Sequence, residues 1–386
     1  MGKQVKMGDK SSKKVRILHI VQSAGGVDRY LRSLLKYLDS DDYENYLLAS
    51  DDFDLEKYVG ICDKTIQIKM FRNISLKDIP SLVKIRAEII KTDPDIIYAH
   101  SSKAGALARL ANIGIYKTCI YNPHGWSFNM RCNPYKRKIY VLIERLLAPL
   151  ATKIVCISNM EKDSAKSNKV CQESQLEVIK NGIDLKHIPD KNCNEIMRRK
   201  LGFEKEQIII GMVGRLSYQK GPDVFINSCK LVANEIPNCR FLIVGDGEDR
   251  QSIIQLAKKN GIADQLIITG WVENPLDYIS TFDIACLFSR WEGFGLVLPE
   301  YMAMQKPIVA TNVDAIPEIV QNKKNGLLVP VDNPIASAEA IIKLLKNERW
   351  RSVIVETARK EVLKEYDINR VAHEHQLLFE KVIKMP

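Results

Sequence analysis

No apolar run in the 386-residue chain approaches the ~20 residues that a bilayer-spanning helix requires; the longest, such as 208–213 and 296–299, are far shorter. A membrane-spanning protein is therefore not expected. Residues 1–14 are polar and basic, and the apolar stretch behind them, 15–21, is too short and has no small-residue cleavage site, so no secretory signal is read there. The nine cysteines include no Cys-x-x-Cys pair and no Cys/His cluster at zinc spacing. An odd number without such spacing reads as reduced thiols in a reducing compartment, which points to the cytoplasm. Zinc-finger spacing, a basic region followed by heptads and an aromatic RNA-binding signature are all missing, and nucleic acid is set aside as a partner. So is a Gly-x-Gly-x-x-Gly fingerprint, which argues against a dinucleotide dehydrogenase.

What is present is an ordinary folded composition, 46% hydrophobic and 27% charged, with a formal charge of +10. That excess asks for a negative partner, and a phosphate-bearing substrate at a membrane surface suits it best. The length exceeds what one core usually supports, so two domains of roughly 180–200 residues are expected.

Short β-branched runs alternate with amphipathic stretches along the whole chain, the pattern of parallel sheets covered by helices on both faces. Strands are expected at 15–21, 46–49, 65–68, 96–100, 119–121 and 154–157, with helices at 30–38, 76–91, 104–112 and 135–148. A second series of strands follows at 208–213, 241–244, 266–269, 284–287, 308–310 and 327–329. The aperiodic stretch 184–206 places the boundary, giving domains at 1–190 and 191–365 with a C-terminal helix, about 366–386, packing back on the first. Two such doubly wound α/β domains are expected to face one another across a cleft. In open parallel sheets, ligands lie beyond the carboxyl ends of the strands, so the strand-to-helix loops are the places to search.

Six loops carry candidate chemistry. The first strand ends in Ser23-Ala24-Gly25-Gly26, where glycines permit close backbone approach to an anion or simply a tight turn. In the second series Gly214 lets the chain turn, while Arg215 and Lys220 set two cations at the mouth of a strand, suited to a departing diphosphate. Gly245-Asp246-Gly247-Glu248 and Gly270-Trp271-Val272 are candidates for bordering a base or ribose, or ordinary turns. In Glu292-Gly293-Phe294-Gly295-Leu296-Val297-Leu298-Pro299-Glu300, amides at Phe294 and Gly295 are expected at a helix start. The two carboxylates there, Glu292 and Glu300, are spaced to reach different parts of one extended ligand, or are unrelated surface acids. His124 follows the strand at 119–121 directly, in Asn122-Pro123-His124-Gly125-Trp126, and is favoured over His19, which reads as core. Asp52-Phe53-Asp54 and Asp93-Pro94-Asp95 have the spacing of a metal pair but are read as a solvated loop and a strand entry.

Taken together, the Glu-x7-Glu of Glu292 and Glu300, the Gly-Arg-x4-Lys-Gly of 214–221, the His124-Gly125 pair, the Gly25-Gly26 loop and Asn181-Gly182-Ile183-Asp184 resemble the retaining glycosyltransferases of GT-B architecture, family 4, across nearly the whole chain. The resemblance implies two Rossmann-like domains and a nucleoside-diphosphate sugar donor, UDP by family frequency. It implies that Arg215 and Lys220 neutralise the diphosphate and that Glu300 binds the ribose. It assigns the transferred sugar to Glu292 with the amides of Phe294 and Gly295, places Leu296 and Val272 beside the donor, and sets His124 near the reacting carbon. No metal or other cofactor is implied. The acceptor is expected in the first domain, and the basic segment 131–153 is a candidate for resting on an anionic membrane or a buried helix with a solvated basic face. The membrane reading implies a lipid-diphosphate-linked glycan as acceptor, as in bacterial capsule or exopolysaccharide assembly, with the protein peripheral on the inner face of the membrane. A nucleotide-sugar 2-epimerase and a non-catalytic nucleotide-sugar-binding module are the alternatives on the same architecture.

Overall fold

The computed structural model describes residues 13–22, 24–71, 76–189 and 193–385. Ser23, the first twelve residues and the expected boundary at 190/191 therefore lie outside the described residues. The chain divides into two compact units. The first holds the described residues of Met1–Pro123, Ile143–Val155 and Ala372–Pro386, and the second those of His124–Leu142 and Cys156–Val371.

Seven strands form the first sheet: β1 (Val15–Val21), β2 (Tyr43–Ala49), β3 (Lys64–Gln67), β4 (Ile96–His100), β5 (Thr118–Asn122), β6 (Lys153–Cys156) and β7 (Leu176–Val178), in the order β3-β2-β1-β4-β5-β6-β7. The second sheet has six: β8 (Ile208–Val213), β9 (Cys239–Val244), β10 (Leu266–Ile268), β11 (Ile284–Leu287), β12 (Ile308–Thr311) and β13 (Leu327–Val329), ordered β10-β9-β8-β11-β12-β13. Pairing is parallel, as between β8 and β9 and between β8 and β11. The expected strands are all present, five of them to the residue and the others with ends shifted by one to three residues. The short β7 is an addition that three residues of pattern did not announce.

Parallel strands covered on both faces read as continuous apolar runs, and β8 and β9 follow that rule. Alternate residues serve opposite cores: Ile209, Val213, Leu242 and Val244 belong to one, Ile210, Met212, Phe241 and Ile243 to the other. In the first unit, β1 carries Leu18 and Ile20 into an apolar cluster with Ile97 and Ala99 of β4, while His19 faces the other way. His19 is fully buried, meets His100 Nε2 at 3.3 Å and Asn45 Oδ1 at 3.2 Å, and burial pushes its pKa down to about 4. It is a core histidine, as its position in the strand indicated. Residues of the C-terminal helix join this unit: His375 Nε2 meets the hydroxyls of Tyr30 at 3.1 Å and Tyr98 at 3.0 Å.

A buried ion pair sits on the same sheet. Arg109 Nη2 donates to Glu144 at 2.9 Å, the Arg109 guanidinium lies 4.0 Å over the Tyr121 ring, and the Tyr121 hydroxyl donates to the other Glu144 oxygen at 2.9 Å. Removing one member strands a charge that water cannot reach. Glu144→Ala is expected to lower unfolding free energy by about 3–5 kcal/mol, read by urea denaturation; a loss under about 1 kcal/mol would show that the pair is not buried in solution.

Candidate active site

The second sheet reverses direction between β8 and β11, which lie side by side while their neighbours run outward to either hand. At such a point the loops leaving the two strands diverge and open a crevice. Tyr301 marks where they part. Its buried hydroxyl accepts the Val213 N–H at 2.9 Å and donates to the Cys286 carbonyl at 3.3 Å, completing a ladder that β8 and β11 no longer make for themselves.

The loop after β8 is braced by bare backbone. A β-carbon on Gly245 would lie 2.1 Å from the Gly214 carbonyl oxygen, and one on Gly247 would lie 2.2 Å from that of Leu216. Only glycine permits this approach, so both Gly214 and the 245–248 turn are held as one piece. Gly221, at φ 63°, closes the loop, since a β-carbon there would strike the Phe288 carbonyl oxygen at 2.3 Å. Between these points Lys220 is brought to the loop that follows β11. Its ammonium bonds to Glu292 Oε2, which also accepts the Ser289 hydroxyl at 3.0 Å. The Glu292 N–H donates to Asp314 Oδ2 at 2.9 Å. Burial raises the Asp314 pKa; that N–H opposes the shift and the Glu292 charge adds to it.

Arg215 is placed differently. It is half-exposed and pairs with Glu248 at 3.0 Å, so it stands at the same loop without meeting Glu292. Arg290, a nearby cation that the sequence reading passed over, is spent on structure: it bonds Asp223 through both Nη atoms, Asp332 through Nε and the Tyr218 carbonyl. Glu300 is 2% exposed and lies in the first turn of a helix that opens only at Val297. The amides of Phe294 and Gly295 therefore sit in the turn before that helix and not at its start. Leu296 is the N-cap residue, Gly295 takes φ 85° and the Phe294 ring is buried edge-on to Tyr366. Val272 packs half-buried against the core beneath. Gly25 takes φ 103° before the helix Gly26–Tyr37, and nothing crowds either glycine; backbone conformation alone explains the first.

His124 follows β5 in the left-handed region, φ 50°, with Gly125 at φ 106°. Although β5 belongs to the first unit, residues 124–142 belong to the second, and there the 124–125 backbone touches the Glu292 loop. A β-carbon on Gly293 would lie 3.3 Å from Gly125 Cα and 3.5 Å from the His124 carbonyl oxygen. The 124–125 backbone thus lies beside the loop that carries the Lys220–Glu292 pair. A residue the sequence reading missed underlies the contact: Glu161, 1% exposed, accepts the Gly125 N–H at 2.7 Å.

In the candidate metal pairs, Asp54, Asp93 and Asp95 have protein partners. Asp54 accepts the Glu56 N–H, Asp93 pairs with Lys117 at 2.6 Å and Asp95 accepts the Arg16 N–H. Among the described residues no group of three His, Cys, Asp or Glu side chains is placed to hold a metal ion.

Two parallel α/β units, the second of which carries the lysine–glutamate pair, the glycine-braced loops and His124, have the GT-B architecture. Residues 194–361 match the model of the glycosyl transferases group 1, and residues 24–187 that of glycosyltransferase family 4. The chain belongs to this family of glycosyltransferases and is an enzyme of that class. It is 25% identical over 364 residues, 92% of its length and 94% of the relative's, to the Escherichia coli UDP-Gal:alpha-D-GlcNAc-diphosphoundecaprenol alpha-1,3-galactosyltransferase. With the Staphylococcus aureus capsular polysaccharide biosynthesis glycosyltransferase CapM it shares 25% identity, covering 96% of this chain and 98% of that one. Its fold is that of Anabaena HepE, solved in complex with UDP and glucose: TM-score 0.84, 19% identity, 95% of this chain and 100% of the other.

Burial, opposed by the Ile157 and Gly125 N–H bonds and aided by the Glu318 charge, pushes the Glu161 carboxyl up to about 7 from its ordinary 4.5. The sign follows from linkage: a raised native pKa makes a stabilising contribution that is complete below the unfolded value and lost as pH rises through the native one. The wild-type protein should thus lose about 2–3 kcal/mol between pH 5 and 8, and Glu161→Gln should flatten that slope in calorimetry. An unchanged slope would assign it to other groups.

Proposed function

We propose that the protein is a retaining glycosyltransferase that moves a sugar from a UDP-sugar to a lipid-diphosphate-linked glycan in bacterial capsule or exopolysaccharide synthesis. The observation that carries the donor assignment is the Lys220–Glu292 ion pair at the switch point, with the His124-Gly125 backbone against Gly293. A donor diphosphate takes the place of Glu292 as the counter-charge of Lys220, and Arg215 swings from Glu248 to share it. Glu292, released, and the turn amides of Phe294 and Gly295 hold the sugar hydroxyls. Glu300 holds the ribose, with Gly214, Leu296 and Val272 lining the nucleotide.

When the bond between the anomeric carbon and the phosphate oxygen breaks, its electrons stay on the diphosphate. Fixed cations stabilise that charge, and a metal ion has no role in this scheme. The acceptor hydroxyl forms the new bond on the face the diphosphate leaves, and its proton passes to the departing phosphate oxygen. His124 lies beside the anomeric carbon and orients the sugar. Residues 191–365 handle the donor and residues 1–190, with the C-terminal helix, the acceptor.

The acceptor class is supported by the E. coli relative, named for a diphosphoundecaprenol-linked substrate, and by one helix of this chain. In Pro134–Leu147, Val141 and Glu144 point inward, while Tyr135, Ile139, Leu142 and Leu146 are 77%, 55%, 54% and 67% exposed at helical spacing. Lys136, Arg137, Lys138 and Arg145 surround this apolar stripe, the arrangement of a helix that lies on an anionic surface. No helix among the described residues is long and apolar enough to cross a membrane. On this reading the enzyme works from the cytoplasm, peripheral on the inner face of the membrane.

A panel of nucleotide sugars, assayed for nucleoside diphosphate release with and without lipid-linked acceptors, tests the function. Lys220→Ala and Arg215→Ala should each lower kcat/KM by about 100-fold or more, and chelator should leave the rate unchanged. Full activity in both variants would sink the diphosphate assignment; a rate lost to chelator and restored by a divalent cation would sink the metal-free scheme; and interconversion of the donor sugar without acceptor would indicate an epimerase.

Membrane contact has its own test. The protein should sediment with vesicles of anionic phospholipid and not with zwitterionic ones, and the double substitution Ile139→Asp, Leu142→Asp should weaken that binding about tenfold. Equal binding to both vesicle types, or no effect of the substitutions, would remove the helix from the account.

A further inference from the structure

We propose that Glu161 is a positioning residue for sugar transfer, a carboxylate clamp that sets the direction in which the 124–126 loop presents His124 to the sugar. This role rests on the functional reading of His124 above.

Ser158 caps the helix Asn159–Ser167 by accepting the Glu161 N–H at 3.1 Å. In a capping box the residue at Glu161's place turns its side chain back to the capping residue's own amide, and glutamine serves as well as glutamate. Glu161 reaches elsewhere. One oxygen accepts the Ile157 N–H at 2.7 Å, at the end of β6, and the other accepts the Gly125 N–H at 2.7 Å. Its backbone carbonyl accepts the Trp126 indole N–H at 2.9 Å, and that ring is stacked 5.2 Å from Phe128. One residue thus grips the two that follow His124. With both side-chain oxygens facing N–H donors, only a carboxylate fits, because an amide would turn its NH2 on one of them.

The loop so gripped is a strained one. His124 holds a positive φ that a residue with a side chain adopts only when its surroundings impose it, and the next residue is positive as well. The same loop is the one whose backbone lies against Gly293. Beneath it, Glu318 accepts the Asn159 and Met160 amides, so the helix that carries Glu161 is itself anchored to the donor-side loops of the second unit.

A buried carboxylate with amides and no cation is a poor choice for stability alone. No ion pair of Glu161 occurs among the described residues, and the titratable groups that act with it, Glu318 from 316–319 and Cys156 from β6, include no permanent cation. Its pKa near 7 puts the loss of the clamp within the working range of pH. Protonation blocks one acceptor oxygen, the Gly125 bond is weakened and His124 is released from its aim.

The test combines kinetics with amide hydrogen exchange on the full chain. Glu161→Gln should lower kcat about tenfold or more, leave nucleoside diphosphate affinity within about twofold and speed exchange in the peptide containing Gly125 and Trp126. The wild-type kcat should fall as pH drops below about 7, an acid limb that the Gln variant lacks, and Glu161→Asp should recover part of the rate at high pH. A Gln variant with wild-type kcat, an acid limb that survives the substitution, or unchanged exchange at Gly125 would each overturn the clamp. Exchange needs no substrate: if the wild-type protein transferred no sugar at all, the functional reading and this catalytic role would fall together, and exchange alone would show whether the loop restraint itself stands.

Discussion

Parallel pairing delivers the last residue of every strand to the same edge of its sheet, and most of what bears on function here is arranged by that constraint. At the β8/β11 reversal two loops must leave in different directions from strands a few ångströms apart, and the inter-strand ladder has to stop before they do. Tyr301 takes over the last backbone groups at this place. A polar side chain thereby completes an apolar sheet, so the crevice begins without an unpaired buried amide at its floor.

Around that crevice charge is balanced locally. Lys220 rests on Glu292, Arg215 on Glu248, and Arg290 is taken up by Asp223 and Asp332. The arrangements differ in what can be exchanged. Arg290 is 5% exposed and held by two carboxylates and a carbonyl, so it braces the loops. Lys220 has one carboxylate partner, and Arg215 has one that is exposed to water, where an ion pair contributes little. Positive charge that is easily re-partnered suits the diphosphate role proposed for this loop. Glu161 adds the opposite case, a buried negative charge neutralised only by amides, which is a cost to stability at the pH where it is ionised.

The strands were readable because each is a short run of β-branched and aliphatic residues closed off by polar or glycine-rich turns, and the sheet buries both faces of it. Val15–Val21, Ile96–His100, Ile208–Val213, Ile284–Leu287 and Leu327–Val329 agree with the sequence pattern to the residue. Leu176–Val178 was not readable, since three residues with Glu177 at their centre are too short to show a period. The motif-bearing residues were likewise visible, because glycine, lysine, histidine and glutamate at fixed spacing have few structural reasons to recur together. Glu161, Asp314 and Tyr301 had no such signal. Glu161 reads as an ordinary helix-start acid, Asp314 as a turn residue and Tyr301 as one more core aromatic; their roles depend on groups distant in the chain, at Gly125, Glu292 and Val213.

The order of the motifs along the chain and the alternation of strand and helix determined the architecture and the identity of the family, because both are properties of local sequence. Which residues meet was settled by the tertiary structure. Spacing placed Arg215 and Lys220 together as a pair of cations, yet only Lys220 reaches Glu292, because Gly221 closes its loop against Phe288 while Arg215 is left at the rim. Spacing placed His124 after a strand of the first sheet, yet its backbone packs with the second unit, because Gly293 has no side chain to keep it away. A hydrogen bond or a close backbone approach joins residues by direction and distance, and neither quantity is written in the order of amino acids.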